Sequence, residues 1–304
     1  RFHGRQSVED VGAELDGCLG EATQALPADA AAIFLFPPSG GGGAHFMAFR
    51  SACSAHAIVR QVRYPALREL ARSETSFETI AAHAARQVES LKAEGPLILA
   101  GYSAGGEVAY AAARQLQARG RVVEGLILID TDASGLSYPA PTLQAPSGQA
   151  ASPQPIVRRY FRRPTIHHYR RLVDMALPVR FLRTARGRAL LSLMLALRVR
   201  MPLPAEIAIV ASLRAYDILF DECHRRWFMA LEPAPLDIPT VLFRSQEQRP
   251  GAPEDLGWRR RTRELSITPV AGDHFTMLEG AGGVAIAREC ARLARAFRTE
   301  FRTA

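Results

Sequence analysis

Ser103 stands at the centre of Gly101-Tyr102-Ser103-Ala104-Gly105, directly behind the apolar run Pro96-Leu97-Ile98-Leu99-Ala100. The run reads as a buried strand, and Ala109, Ala111, Ala112, Ala113 and Leu116 beyond it are good helix formers. A serine at the apex of a sharp strand-to-helix turn, with glycines two positions to either side, is the nucleophile-elbow pattern. Side chains at the flanking positions would collide in so tight a turn, which is why glycine occupies both. The turn lifts the hydroxyl over the sheet and aims the unsatisfied N–H groups of the helix at the reacting centre. A serine hydroxyl is a weak nucleophile at neutral pH, so it needs a base within hydrogen-bond reach and a carboxylate to orient that base.

Of the eight histidines, His274 is the best-placed base. It lies in Ala271-Gly272-Asp273-His274-Phe275, a loop between the last strand and the last helix. His45 and His56 flank a helix near a glycine-rich loop and read as structural, and His167-His168 falls in an insertion. His3, His83 and His224 sit in terminal or helical stretches with no chemical partner in view. Asp130 is the preferred carboxylate, because the strand after the elbow helix ends on it; Glu247, at the end of the next strand, and Asp132 compete with it. An oxyanion formed at the serine needs two backbone N–H donors. Ala104 supplies one; Pro37-Pro38-Ser39-Gly40 supplies the other, with Ser39 the first choice and Gly40 the second. No Lys-Ser/Thr follows those glycines, so the loop does not read as a phosphate cradle.

These residues must be carried to one place by their elements. Strands are predicted at 31–36, 57–64, 96–101, 122–129, 238–244 and 265–270, and helices at 76–94, 104–119, 205–230 and 283–301. The alternation predicts an α/β fold with a mostly parallel central sheet and helices on both faces. The strand C-termini then share one edge, and Ser103, Asp130 and His274 all lie there. Residues 1–30 read as a lead-in and 31–304 as the domain. The pattern breaks after Asp132: a Pro- and Ser-rich stretch over 133–157 is followed by an Arg-rich helical stretch over 164–200. Residues 133–203 are therefore predicted to be a helical lid insertion.

Composition bounds the alternatives. Apolar residues make up 48% and charged residues 22%, ordinary for a soluble globular chain. No run of 18 apolar residues is present, so no membrane span is predicted, no signal-peptide pattern opens the chain, and the scattered cysteines fit a reducing, cytoplasmic compartment. The start at Arg1 reads as a piece of a longer polypeptide. The four cysteines have neither metal-ligand nor disulfide-framework spacing and read as small buried apolar residues. The net charge of +8 comes from arginine, with Lys92 the one lysine, and the arginines gather at 158–200 and 259–263. Nothing resembles a nucleic-acid-binding motif, so the arginines read as a solvated face or as a docking patch for an acidic protein.

The loop Phe36-Pro37-Pro38-Ser39-Gly40, the elbow Gly101 to Gly106, Leu128-Ile129-Asp130 and Gly272-Asp273-His274-Phe275-Thr276-Met277-Leu278 resemble the thioesterase domains that end nonribosomal peptide synthetases and polyketide synthases. Thr240 to Arg244 and Asp255-Leu256-Gly257-Trp258 are similar to that family as well. The resemblance covers roughly 31–300 apart from the insertion; the first thirty residues match no obvious carrier domain. It implies an α/β-hydrolase fold and the chain order Ser103, Asp130, His274 for a catalytic triad. It also implies release of an acyl or peptidyl chain from the phosphopantetheine of an upstream carrier domain, by hydrolysis or macrocyclisation, with no cofactor or metal of the domain's own. A free-standing serine esterase or editing thioesterase would use the same triad, and a non-catalytic binding module could share the scaffold.

Overall fold

The computed structural model of the chain describes residues 25–27, 30, 32–39, 44–72, 74–134, 179–196, 205–230 and 235–300. By compactness the described residues divide into two units: 71–72 and 179–219 form one, and 25–70, 74–134 and 220–300 form the other.

The larger unit is built on six strands, β1 (Ala32–Phe36), β2 (Ile58–Gln61), β3 (Leu97–Tyr102), β4 (Val123–Ile129), β5 (Leu236–Ser245) and β6 (Thr262–Val270). They lie in the order β2-β1-β3-β4-β5-β6, every neighbouring pair parallel. The central strands β1, β3 and β4 are buried along their whole length. That is why they read as continuous apolar runs rather than alternating ones: a parallel sheet covered on both faces leaves no side for polar residues.

The helices supply the cover. On one face Ile33, Leu35, Ile98, Ala100, Ile127 and Ile129 form a core with Phe46 and Phe49 of α1 (Ala44–Ser54) and Ile286 and Cys290 of α8 (Gly280–Glu300). The short α2 (Leu67–Leu70) follows β2. On the other face α3 (Phe77–Leu91) packs on α4 (Ala104–Ala118), which lies against β3 and β4. Helix α3 starts on a reciprocal cap: Ser76 Oγ accepts from the Thr79 N–H at 3.3 Å and Thr79 Oγ1 accepts from the Ser76 N–H at 2.9 Å. Its Phe77, Ile80, Ala81, Ala84, Ala85 and Val88 are buried at helical spacing. Each large apolar side chain so buried contributes about 1.5–3 kcal/mol.

Strand β6 begins at Thr262, three residues ahead of the sequence expectation. It is an edge strand, and its Arg263 and Glu264 are exposed, so apolar content alone did not reveal its start. Strand β5 also begins early, at Leu236, and its register shifts before Pro239, whose missing N–H suits an irregular point in the ladder. Among the described residues the smaller unit holds α5 (Val179–Leu182), α6 (Ala185–Ala196) and α7 (Ala205–Ala230) up to Leu219. Thr184 caps α6: its hydroxyl accepts from the Gly187 N–H at 3.1 Å and donates to the Phe181 carbonyl at 2.7 Å. Most of the predicted insertion, 135–178 and 197–203, and nearly all of the predicted lead-in lie outside the described residues, as does Cys18.

Lys92, the only lysine, is buried, and its ammonium donates to the carbonyls of Ala30 and Pro96 at 2.8 and 2.7 Å. Cys53, Cys223 and Cys290 are buried and take part in no disulfide among the described residues. Hydrogen bonding with Cys53, reinforced by burial, pushes the Cys290 thiol well above the usual range.

One partly buried pair predicts a pH dependence. The first turn of α4 carries Glu107, whose carboxylate meets His224 Nε2 of α7 at 2.6 Å. Burial works to lower the His224 pKa, but Glu107, helped by Asp221, outweighs it and the opposing Arg261, and holds the imidazole above its ordinary value. A histidine bound more basic in the folded chain stabilises it fully below the unfolded value of about 6.5, and this is lost as pH rises through the folded value. The melting temperature is expected to fall as pH is raised from about 6 through that window. Glu107→Gln should flatten this segment of the profile and cost about 1–3 kcal/mol at pH 6; thermal melts across a pH series measure both.

Candidate active site

The strand register brings the predicted site residues to one edge. Phe36 of β1 pairs with Gly101 of β3, Tyr102 with Ile129 of β4, Ile129 with Phe243 of β5, and Ser245 with Val270 of β6. The ladder then continues one step past each strand. The Ser103 N–H donates to Ile129 O at 2.9 Å, the Asp130 N–H to Phe243 O at 2.8 Å, and the Gln246 N–H to Val270 O at 2.8 Å. Chain segments that leave the sheet side by side are thereby held in line.

Ser103 takes φ 56° and ψ −133°, and Asp130 takes φ 44°. Backbone in such regions costs about 1–3 kcal/mol for a non-glycine residue, and it gathers where function demands a side-chain direction. The elbow glycines are explained by contact. A Cβ on Gly101 would overlap the backbone of Gly105 and Gly106, one on Gly105 the carbonyls of Phe36 and Pro37, and one on Gly106 the Thr131 side chain. The start of α4 is thus pressed against the loop that follows β1. Ala104 and Ser39, the two predicted oxyanion donors, stand on these touching segments; Gly40 lies outside the described residues.

The structure joins Ser103, His274 and Asp130. His274 Nε2 lies 3.1 Å from Ser103 Oγ, and His274 Nδ1 lies 2.8 Å from Asp130 Oδ2. Asp130 is 1% exposed, and its other oxygen accepts from the Ser245 N–H at 2.8 Å and from Gln248 Nε2 at 2.6 Å. Gln248 Nε2 also reaches Ser245 Oγ at 2.6 Å. With Oδ1 taken by two donors, Oδ2 is left to face the imidazole, an arrangement that suits a proton on Nδ1 and leaves Nε2 able to accept one from a hydroxyl.

The competing carboxylates are placed elsewhere. Glu247 is exposed, and its N–H donates to Gly272 O at 3.1 Å. Asp132 pairs with Arg249 and accepts the Ser134 N–H at 2.7 Å. Asp132 therefore anchors the chain leaving the site, together with Ala133, whose N–H meets Leu256 O at 2.7 Å, and Thr131, whose carbonyl accepts Trp258 Nε1–H at 2.7 Å. Trp258 is fully buried against Tyr110 of α4. Gly257, at φ 82°, leaves room for the Ala133 carbonyl that a Cβ would strike.

The His274 loop is shaped by its neighbours. Gly272 takes φ 97°, with the Thr276 hydroxyl where a Cβ would stand. Asp273 Oδ1 accepts from the N–H groups of Phe275 and Thr276 at 2.8 and 2.7 Å and from Thr276 Oγ1 at 2.8 Å. Burial acts to raise the Asp273 pKa, but these hydrogen bonds, with the nearby imidazole, hold it below the usual carboxylate range. Tyr64 O–H donates to Pro37 O at 2.7 Å and so steadies the loop before Ser39.

His56 is exposed and His83 lies on α3, neither near the serine; His3, His167 and His168 lie outside the described residues. Of the second arginine cluster, Arg259 and Arg260 lie in the turn before β6 and Arg263 is the second residue of β6, and all three are exposed. Among the described residues no group of three His, Cys, Asp or Glu is placed to hold a metal ion, and no helix is long and apolar enough to cross a membrane. Sequence reasoning gave no role to Gln248, Tyr64 or Arg249. A lone Gln or Arg in a loop carries no signal of its own, and only the fold shows what each faces.

A parallel sheet with a serine elbow after β3, an acid after β4 and a histidine after β6 defines an α/β-hydrolase domain. The thioesterase domain family model matches residues 31–293, and the chain belongs to that family. It is similar to the bikaverin polyketide synthase bik1 of Gibberella fujikuroi, 33% identical over 132 residues, which are 42% of this chain and 6% of that protein. It is also similar to surfactin synthase subunit 3 of Bacillus subtilis, 46% identical over 44 residues, 14% of this chain and 4% of that one. The chain thus corresponds to a small fraction of the length of these relatives. Its fold matches the Vlm2 thioesterase domain solved with a bound dodecadepsipeptide, with a TM-score of 0.53 at 19% identity, covering 89% of this chain and 95% of that one.

Proposed function

We propose that this domain releases a finished acyl or peptidyl chain from the phosphopantetheine thioester of an upstream carrier domain, in a cytoplasmic assembly. In this reading residues 31–304 form the catalytic domain, 1–30 lead into it and 133–203 form its lid. Ser103 Oγ attacks the thioester carbonyl as His274 Nε2 takes its proton. The C–S bond breaks, the sulfur leaves with a proton returned by the imidazole, and the chain stays on Ser103 as an ester. Water, or an amine or hydroxyl of the chain itself, then attacks that ester with His274 as base, and Ser103 regains its proton. Asp130 keeps the imidazole in the required tautomer and balances its charge. The N–H groups of Ala104 and Ser39 receive the oxyanion in both halves. All these steps use the chain's own groups.

The observation that carries this reading is the unbroken hydrogen-bonded line from Asp130 through His274 to Ser103, in a chain of the thioesterase domain family. The carrier as partner is supported by the relatives, which are multidomain synthases. The test is to compare an acyl chain on a phosphopantetheine-loaded carrier domain with the same acyl group as a soluble oxygen ester, following release by mass spectrometry. Carrier-bound thioester is expected to be consumed at least about tenfold faster at equal concentration, the gain of a second contact surface. Preference for the soluble ester with no carrier turnover would favour a free-standing esterase, and no turnover of either a binding module.

A further inference from the structure

We infer that Tyr102 is a positioning residue for the base, a role that rests on the reading of His274 given above. The Tyr102 ring lies almost parallel to the imidazole, with centroids 4.9 Å apart and planes 20° from each other. Its hydroxyl donates to the backbone carbonyl of His274 itself, at 2.6 Å. Phe46 of α1 stacks with Tyr102 in turn, at 6.0 Å and 16°, and both residues are buried. Phe275 closes on the imidazole edge-on, at 5.1 Å and 82°.

Packing alone does not account for a tyrosine here. Phenylalanine would bury the same ring, and a hydroxyl in an apolar core is costly unless it finds an acceptor. The acceptor it has is on the loop that carries the base. Tyr102 also immediately precedes Ser103 and pairs in the ladder with Ile129, the neighbour of Asp130. One strand end therefore bears the nucleophile and the platform beneath the base, so the two are registered to each other through a single covalent step. When the serine proton arrives, the positive imidazole lies over the electron-rich face of the phenol, an arrangement that favours the charged form as it develops. The hydroxyl sets where the loop sits, and the ring sets the plane in which the imidazole can turn.

The test uses the whole chain with Tyr102→Phe and Tyr102→Leu, a soluble acyl thioester, and Ser103→Ala alongside. Tyr102→Phe is expected to lower kcat about tenfold and Tyr102→Leu about a hundredfold, each with KM within about twofold, because substrate binding is untouched. The low-field proton resonance of His274 Nδ1–H should persist in Tyr102→Phe and be broadened or lost in Tyr102→Leu, while melting curves report whether each variant is folded at the assay temperature. If Tyr102→Leu does not fold, the near-isosteric Tyr102→Phe decides. Values of kcat within about twofold of the parent in the folded variants, or a loss confined to KM, would overturn the proposal. So would equal losses in the two variants, which would leave the ring without a part. Turnover surviving in Ser103→Ala would instead overturn the reading of the nucleophile.

Discussion

Alanine in place of Ser103 is expected to lower thioester turnover by about 10⁵- to 10⁶-fold, the loss seen when the nucleophile of such a constellation is removed. The neighbouring carboxylates are already engaged. The carboxylates near the imidazole are Asp130, which is enclosed by Ser245 and Gln248, and Asp273, whose Oδ1 is taken by its own loop. Thiol release followed with a chromogenic reagent measures the effect. The same position tests the strain at the elbow. Ser103 holds φ 56°, which alanine does not relieve and glycine does. Ser103→Gly should be as inactive as Ser103→Ala yet about 1 kcal/mol more stable in denaturant melts, since the turn then costs the backbone little. Equal stability of the two variants would mean that the turn is not strained.

Asparagine at position 130 is expected to lower kcat about 10⁴-fold with the fold intact. The direction follows from the hydrogen bonds. Ser245 N–H and Gln248 Nε2–H both point at Oδ1, so an amide there must turn its oxygen toward them and its NH₂ toward His274 Nδ1. The imidazole is then forced to carry its proton on Nε2, facing Ser103, where it can no longer accept one. Glu247→Gln serves as the control and should stay within about threefold of the parent, because its side chain is exposed. Asp132→Asn removes the pairing with Arg249 and should act on stability, by about 1–3 kcal/mol, more than on kcat. A reversal between Asp130→Asn and Glu247→Gln in steady-state kinetics would reassign the acid.

Much of this site was legible before any coordinates. Ser103 and Asp130 each follow a strand whose apolar run is unmistakable, His274 follows the last strand before the final helix, and a parallel sheet has only one edge at which such residues can meet. The glycines of the elbow were legible for the same reason, since their spacing has a steric cause that the contacts of Gly101, Gly105 and Gly106 bear out. What escaped was the shell around the three. Gln248 and Arg249 lie in a loop after β5 whose path depends on the whole sheet, and no local pattern says that one faces Asp130 and the other Asp132. Tyr102 was in plain view inside the motif, but alternation along a strand shows only that its side chain goes inward, not that a histidine far along the chain comes to rest on it. The start of β6 was missed because an edge strand with charged residues has no apolar run to read. The basic cluster at 259–263 could be seen as a cluster, but that Arg261 is buried while Arg259, Arg260 and Arg263 are exposed needed the fold.

The account depends most on Ser103 carrying the acyl chain. The direct measurement is intact-protein mass spectrometry, followed by peptide mapping, after reaction with a fluorophosphonate and with a short acyl thioester. One adduct per chain, located on Ser103, absent from Ser103→Ala and slow to form in Asp130→Asn, is the predicted result. An adduct that persists in Ser103→Ala, or that maps to any other residue of the parent chain, would contradict it.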